Sequence, residues 1–342
     1  MRVGRRLGHA LLALVVVGCG GSSPGSSLGF ESSGAPTTAP SSATAPTVLA
    51  SLAPTPVETA RLALSGRIVF ERFDVAANSS AVYLADANGT HVEPLFDRGA
   101  EMPHWSPDHK TVSLFCCDDG MAAHLIDVAS RAFRELPPPD PVVEVHCGPW
   151  TADGLELACE SFGTDDESKN GVYAMPAGDG KGLRRLTSNP DGDDLPGDFS
   201  SDGKLLVFTR SEDAGGTLYV ARLGTREPPI RVSPSGAVGQ CFCGTFSPDG
   251  SEIAYASALD GGVHLVRPDG GELHKVFRDA NGRWAMAPAW SPDGRYIVFA
   301  LSPTRDVSSH PPTDLYVMNA DGSEPGLLLS GDAYQSNPDW AP

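Results

Sequence analysis

One short pattern recurs along this chain and limits what it can fold into. Aligned on an aromatic residue, the copies read MPHWSPDHKTVSLF, CGPWTADGLELACE, PGDFSSDGKLLVFT, CGTFSPDGSEIAYA and APAWSPDGRYIVFA, with a truncated NPDWAP at the C-terminus. The aromatics are Trp105, Trp150, Phe199, Phe246, Trp290 and Trp340, spaced by 45, 49, 47, 44 and 50 residues. Spacing in that range suits a four-stranded supersecondary unit. Within each copy a short strand ends on the aromatic. A polar turn follows, in which Pro presets φ, Asp bonds the backbone ahead and Gly takes φ > 0. An apolar run such as Tyr296–Ala300 then reads as a second strand. Third strands are expected at segments like DLYVMNADG and AVYLADANG, and fourth strands at EPLF, RRLT and IRVS. No segment carries helical periodicity of useful length.

The two ends complete each other. GRIVFERF at Gly66–Phe73 matches a second strand without its first, and NPDWAP matches a first strand without its second. Joined, they make one unit, so an all-β ring of six four-stranded antiparallel blades is expected over residues 66–342. Closure of that kind pairs strand edges that an open array leaves exposed. The W-S-P-D-G turn followed by an I-x-F strand resembles the TolB-type β-propeller, across nearly all of residues 66–342. Departures from the pattern are Thr151-Ala152 and Ser200-Ser201 for Ser-Pro, His109 for Gly, and Phe for Trp in two copies. They are expected to weaken individual turns without changing the architecture. TolB itself carries an additional N-terminal α/β domain. Low-complexity sequence occupies that region here, so its envelope-integrity role and its partner are not carried over.

Residues 1–18 have the basic, apolar and small-residue segments of a secretory signal. Val16-Val17-Gly18-Cys19 resembles the lipobox of bacterial lipoproteins, which implies cleavage before Cys19 and lipidation of its thiol. Residues 19–60, rich in Gly, Ser, Thr, Ala and Pro with almost no charge, are expected to be a disordered tether. The G-x-S-x-G matches inside it lack the strand-turn-helix setting that activates a serine. Loss of Arg2, Arg5 and Arg6 with the signal takes the net charge from −18 to −21. Such a chain repels phosphates and anionic lipid heads. Nucleic acid is therefore not an expected partner, and membrane contact is expected through the anchor alone.

Six cysteines remain after lipidation: Cys116, Cys117, Cys147, Cys159, Cys241 and Cys243. An even number in an exported chain favours disulfides. Cys147 and Cys159 stand about equally far from the WTADGL turn, yet Cys116 or Cys117 competes for the same sulfur. A Cys-x-Cys near a Cys-Cys and His146 also has the donors of a zinc or copper site, and this remains the alternative. Residues four or five before the aromatics, Glu101, His146, Asp194, Gln335 and Ser336, form a candidate polar set at the channel mouth. The insertions Ser161–Asn170 and Ser302–Pro312 are candidate contact loops. The turn aspartates Asp108, Asp153, Asp202, Asp249 and Asp293 lie in separate units with local backbone roles. The sequence shows no catalytic motif and implies no cofactor. The expected function is a monomeric, non-catalytic envelope lipoprotein that binds proteins or peptides. The alternative is a channel-mouth binder of a small ligand, glycan or metal, or a hydrolase.

Overall fold

The computed structural model describes residues 64–116, 121–138, 143–163, 166–239, 241 and 243–342. Cys19, Cys117, the signal segment and the tether lie outside the described residues. The described chain forms six antiparallel sheets of four strands each, a six-bladed β-propeller. Its innermost strands are Ala100–Trp105, Val143–Trp150, Asp194–Phe199, Thr245–Phe246, Trp284–Trp290 and Tyr334–Ala341. The only helical turn among the described residues is the 3-10 segment Glu167–Lys169, capped by the Asp166 side chain.

The last of these strands closes the ring. Tyr334–Ala341 pairs antiparallel with Arg67–Asp74, with Ile68 opposite Trp340, in a sheet that continues through Ser79–Asp86 and Glu93–Phe96. The Trp340 indole donates to the Ser65 carbonyl at 3.0 Å. Gly66 has φ +96°, and a Cβ there would stand 2.1 Å from the Ala341 carbonyl oxygen. Only glycine lets the two chain ends approach so closely.

The first hairpins explain why the motif repeats. Ser106 donates its hydroxyl to Asp108 at 2.7 Å and accepts the Thr111 N–H at 3.0 Å. The same pair of bonds recurs at Ser200, Ser247 and Ser291. Thr151 makes them too, to Asp153 at 2.7 Å and from Glu156 at 3.0 Å, so this departure keeps both side-chain bonds of the turn. In all five turns the Asp also accepts the backbone N–H two residues ahead. These carboxyls sit below the usual aspartate range, at Asp108, Asp153 and Asp249 chiefly through the hydroxyl bond. Four of the turns have glycine at φ near +70°, and His109 takes φ 57° in the first turn along the chain. Each turn leans on its neighbour, with the ideal Cβ position of Gly294 3.6 Å from Pro248.

Second strands are buried on both faces: Ile297, Val298, Phe299 and Ala300 are all fully buried. The core is therefore not inside any blade but between blades. One cluster joins Ile68, Phe70 and Trp340 to Val298, Ala300 and Leu315 of the preceding blade. Another joins Val69, Val82 and Leu84 to Val112, Leu114 and Trp105 of the next. Each such side chain contributes about 1.5–3 kcal/mol when fully buried.

Candidate functional site at the mouth of the ring

Hairpin turns occupy one end of the ring, so the starts of the innermost strands and the loops between second and third strands gather at the other. Five of the innermost strands carry a β-bulge around the third residue before the aromatic, as between Glu101 and His104. Met102, Ala287 and Asn337 take φ 48°, 45° and 49° there. The bulge bends the strand and re-aims the side chains on either side of it.

Period-two alternation separates positions that spacing from the aromatic groups together. Side chains five before the aromatic point into the blade: Ala100, Val145, Asp194, Ala285 and Gln335 are all buried. Asp194 is held by Arg210 through two bonds of 2.8 Å and by Thr187 at 2.7 Å. Gln335 donates to the Thr313 carbonyl at 3.1 Å and accepts from Arg72 at 3.1 Å. Both were expected at an open mouth, but their hydrogen-bonding capacity is spent inside blades. Four before the aromatic, Glu101, His146 and Met286 are half-buried, while Ser336 is buried.

At the closing blade this geometry builds a carboxyl cup. Glu71 stands opposite Ser336 and is 5% exposed. Asn337 donates to Glu71 Oε2 at 2.8 Å, and Ser80 donates to Glu101 at 3.0 Å. Burial, with the Glu101 charge beside it, pushes the Glu71 carboxyl up to about 8. At neutral pH Glu71 therefore keeps its proton next to Glu101. Burial also raises the Tyr334 hydroxyl. The loop within Ser302–Pro312 does not stand free. Val307 is buried, and His310 stacks on Phe73 with centroids 3.7 Å apart and meets Tyr334 edge-on at 5.3 Å.

Around the rim, Phe115 meets His146 at 4.8 Å, and His146 is 2.9 Å from Glu160, its cross-strand partner. Beside them Cys147 and Cys159 face each other in register and are joined as a disulfide. Cys241 and Cys243 form a second, with the Cys243 N–H bonded to the Cys241 carbonyl at 2.9 Å. Cys116 ends the strand Thr111–Cys116. Among the described residues, no group of three or more His, Cys, Asp or Glu side chains is arranged to hold a metal.

Immediately before the aromatic of two innermost strands stand Asp198 and Asp339, outside the candidate set. Asp198 accepts the N–H of its own aromatic, Phe199, at 2.7 Å and that of Phe246 in the next blade at 2.8 Å. Asp339 does the same for Trp340 at 2.9 Å and Trp105 at 2.8 Å. Burial pushes Asp198 up to about 7 despite its two N–H donors, and burial depresses His104 alongside Asp339. Their signal was visible as an Asp immediately before the aromatic in PGDF and NPDW. Glu71 was visible as a charge inside the apolar run IVFERF.

No family profile matches the chain. Among curated proteins it is 26% identical over 258 residues to an uncharacterised protein of Agrobacterium fabrum (strain C58), covering 71% of this chain and 81% of that one. Among solved structures it resembles TolB from Acinetobacter baumannii, with TM-score 0.63 and 20% identity over 82% of this chain and 67% of that one. A TolB candidate from Agrobacterium tumefaciens gives TM-score 0.59 and 21% identity, covering 81% of this chain and 99% of the other. Oligogalacturonate lyase from Vibrio parahaemolyticus is more distant, at TM-score 0.51 and 13% identity over 77% and 79% of the two chains. Taken with the closing strand and the repeated turns, these likenesses identify the fold as a six-bladed β-propeller of the TolB type.

Proposed function

We propose that this chain is an exported, lipid-anchored propeller whose mouth binds protein or peptide segments of the cell envelope without acting on them chemically. The observation that carries this reading is the difference between the two ends of the ring. The turn end is satisfied by its own repeated hydrogen bonds, whereas the mouth presents a varied surface of Phe73, His310, Tyr334, Glu101, Phe115 and His146. Mixed aromatic and polar surfaces of this kind suit protein recognition. The segment before Cys19 supports export and lipidation, and a chain of Gly20–Pro56 composition has a mean reach of about 33 Å. That is enough to hold the ring clear of a bilayer surface while keeping it tethered.

The anchor is tested by fractionating cells that express the wild type and Cys19→Ala. The wild type is expected in the membrane fraction with a processed, acylated N-terminus, and the variant unprocessed or released. A wild type found in the soluble fraction contradicts the anchor. Binding is tested by fluorescence anisotropy of labelled peptides of varied charge against the full chain. A panel in which none binds contradicts the binding role.

The Glu71–Glu101 pair favours a second reading. A buried carboxyl that keeps its proton beside a second carboxyl group is an arrangement used for acid–base work on a small ligand. Under that reading Glu101→Gln removes turnover of the ligand while peptide binding persists. Under the first it alters only affinity.

A further inference from the structure

A second feature of the mouth lies in the blade next to the carboxyl cup. Trp284 opens its innermost strand and is half-buried. Its ring is backed by the chain at Gly261, where a Cβ would stand 2.7 Å from the indole, and Ala285 N–H anchors that contact through the Gly261 carbonyl at 3.0 Å. Two loops then bring cations to the same ring. Arg278, just after the outer strand His274–Phe277, places Cζ 5.8 Å from the ring centroid. Arg305, in the loop that carries His310, places Cζ at 5.4 Å. The two charged carbons are thus no more than about 11 Å apart.

Both arginines are exposed, and the acidic side chains near them are engaged elsewhere. Asp279 holds Arg283 at 2.9 Å, Asp260 holds Lys275 at 3.0 Å and His264 at 3.1 Å, and Asp306 accepts the Ser308 N–H at 3.0 Å. Arg278 uses Nη1 on the Arg283 carbonyl at 2.6 Å, which fixes its direction and leaves its other donors. Among the described residues neither guanidinium is engaged by a carboxylate. A guanidinium lying against an indole is pre-oriented, and its planar fork matches a carboxylate with two parallel bonds. In a chain of net charge −18, an exposed cationic pair set on an aromatic platform is a local reversal of sign.

We propose that Arg278 and Arg305, carried on Trp284, form a clamp for carboxylate side chains of an acidic peptide segment bound at the mouth. The inference rests on the mouth being a peptide-binding surface and adds the partner's chemistry. Anionic lipid is the weaker match, because surface recognition of lipid uses clusters of roughly 4–8 cations. Two arginines on a strongly acidic chain do not supply such a cluster.

The test is anisotropy of a labelled, end-blocked polyglutamate peptide titrated with the full chain. Wild type is expected to bind in a salt-sensitive manner. Arg278→Gln and Arg305→Gln should each weaken binding about tenfold, and the double variant should abolish it. Arg305→Lys should fall between, since it keeps charge and loses the fork. Arg295→Gln, at the turn end, serves as the control and should bind as wild type does. Circular dichroism confirms that each variant folds. Undiminished polyglutamate binding by the double variant overturns the clamp. Selective binding of a polylysine or uncharged peptide overturns it too, while leaving the peptide-binding mouth intact. Capture of phosphatidylglycerol vesicles in place of polyglutamate, lost in the double variant, overturns it in favour of lipid. Failure of every peptide to bind removes both readings together.

Discussion

The two ends of this ring are built from the same strands under opposite rules. At the turn end, five hairpins repeat one set of hydrogen bonds, and even the Thr151 substitution preserves it. At the other end, the half-buried positions four before the aromatic hold Glu101, His146 and Met286, no two alike. Repetition sets the pitch and stacking of the blades. Departure from repetition sets what the ring can touch. Between the two lies the axis, where Asp198 and Asp339 tie one blade to the next through backbone N–H groups.

That contrast predicts a gradient of mutational effects, steepest at the axis. Asp339→Ala leaves the Trp340 and Trp105 N–H groups without their acceptor at the blade that closes the ring. It should cost about 2–6 kcal/mol in chemical denaturation, given about 1–3 kcal/mol for each of the two buried groups left unpaired. At the mouth, Glu71→Gln should act in the opposite direction and depend on pH. The folded state holds the Glu71 proton up to about 8, against an ordinary value of 4.5. Its stabilising share is therefore complete below the unfolded value and is lost as pH rises through the folded one. Glutamine stays neutral throughout, so the variant should flatten that fall and gain on the order of 1–3 kcal/mol over wild type above the folded value. A thermal melt series across pH reads this directly.

The turn end should respond more mildly. Asp293→Ala removes bonds to Ser291 at 2.7 Å and from the Arg295 N–H at 3.1 Å in a solvent-facing turn, and should cost about 1 kcal/mol. His109→Gly should be the smallest change and a gain. It relieves φ 57° at the one repeat turn that lacks glycine, giving about 0.5–1 kcal/mol. If Asp293→Ala proved as costly as Asp339→Ala, the division between a repeated rim and an axis that locks the blades would fail.

The fold was legible because its determinants are local and recur. An aromatic, a turn of fixed chemistry and a strand, seen several times at similar spacing, leave little freedom. The split unit formed by GRIVFERF and NPDWAP even revealed the closing pair. The mouth was not legible to the same degree, because it depends on which way a side chain faces after a bulge. A one-residue difference sends Gln335 and Asp194 into the blade and Glu101 to the rim. Spacing from the aromatic alone could not separate them. The cysteines show the same division. The symmetric placement of Cys147 and Cys159 about their hairpin made that pairing readable as a candidate. The Cys241–Cys243 pair depends on a local backbone turn that no periodicity announces. Asp198 and Asp339 sat in plain view within the motif copies, but their role needs the neighbouring blade.

Under the proposed function, the ring meets its partner at the mouth and not at the turns. A photo-crosslinking amino acid placed at Met286 on the mouth side, and separately at Arg295 beside the turn, would test it in living cells. A discrete crosslinked envelope protein or peptide is expected from Met286 and none from Arg295. Crosslinks from Arg295 with none from Met286 would contradict it.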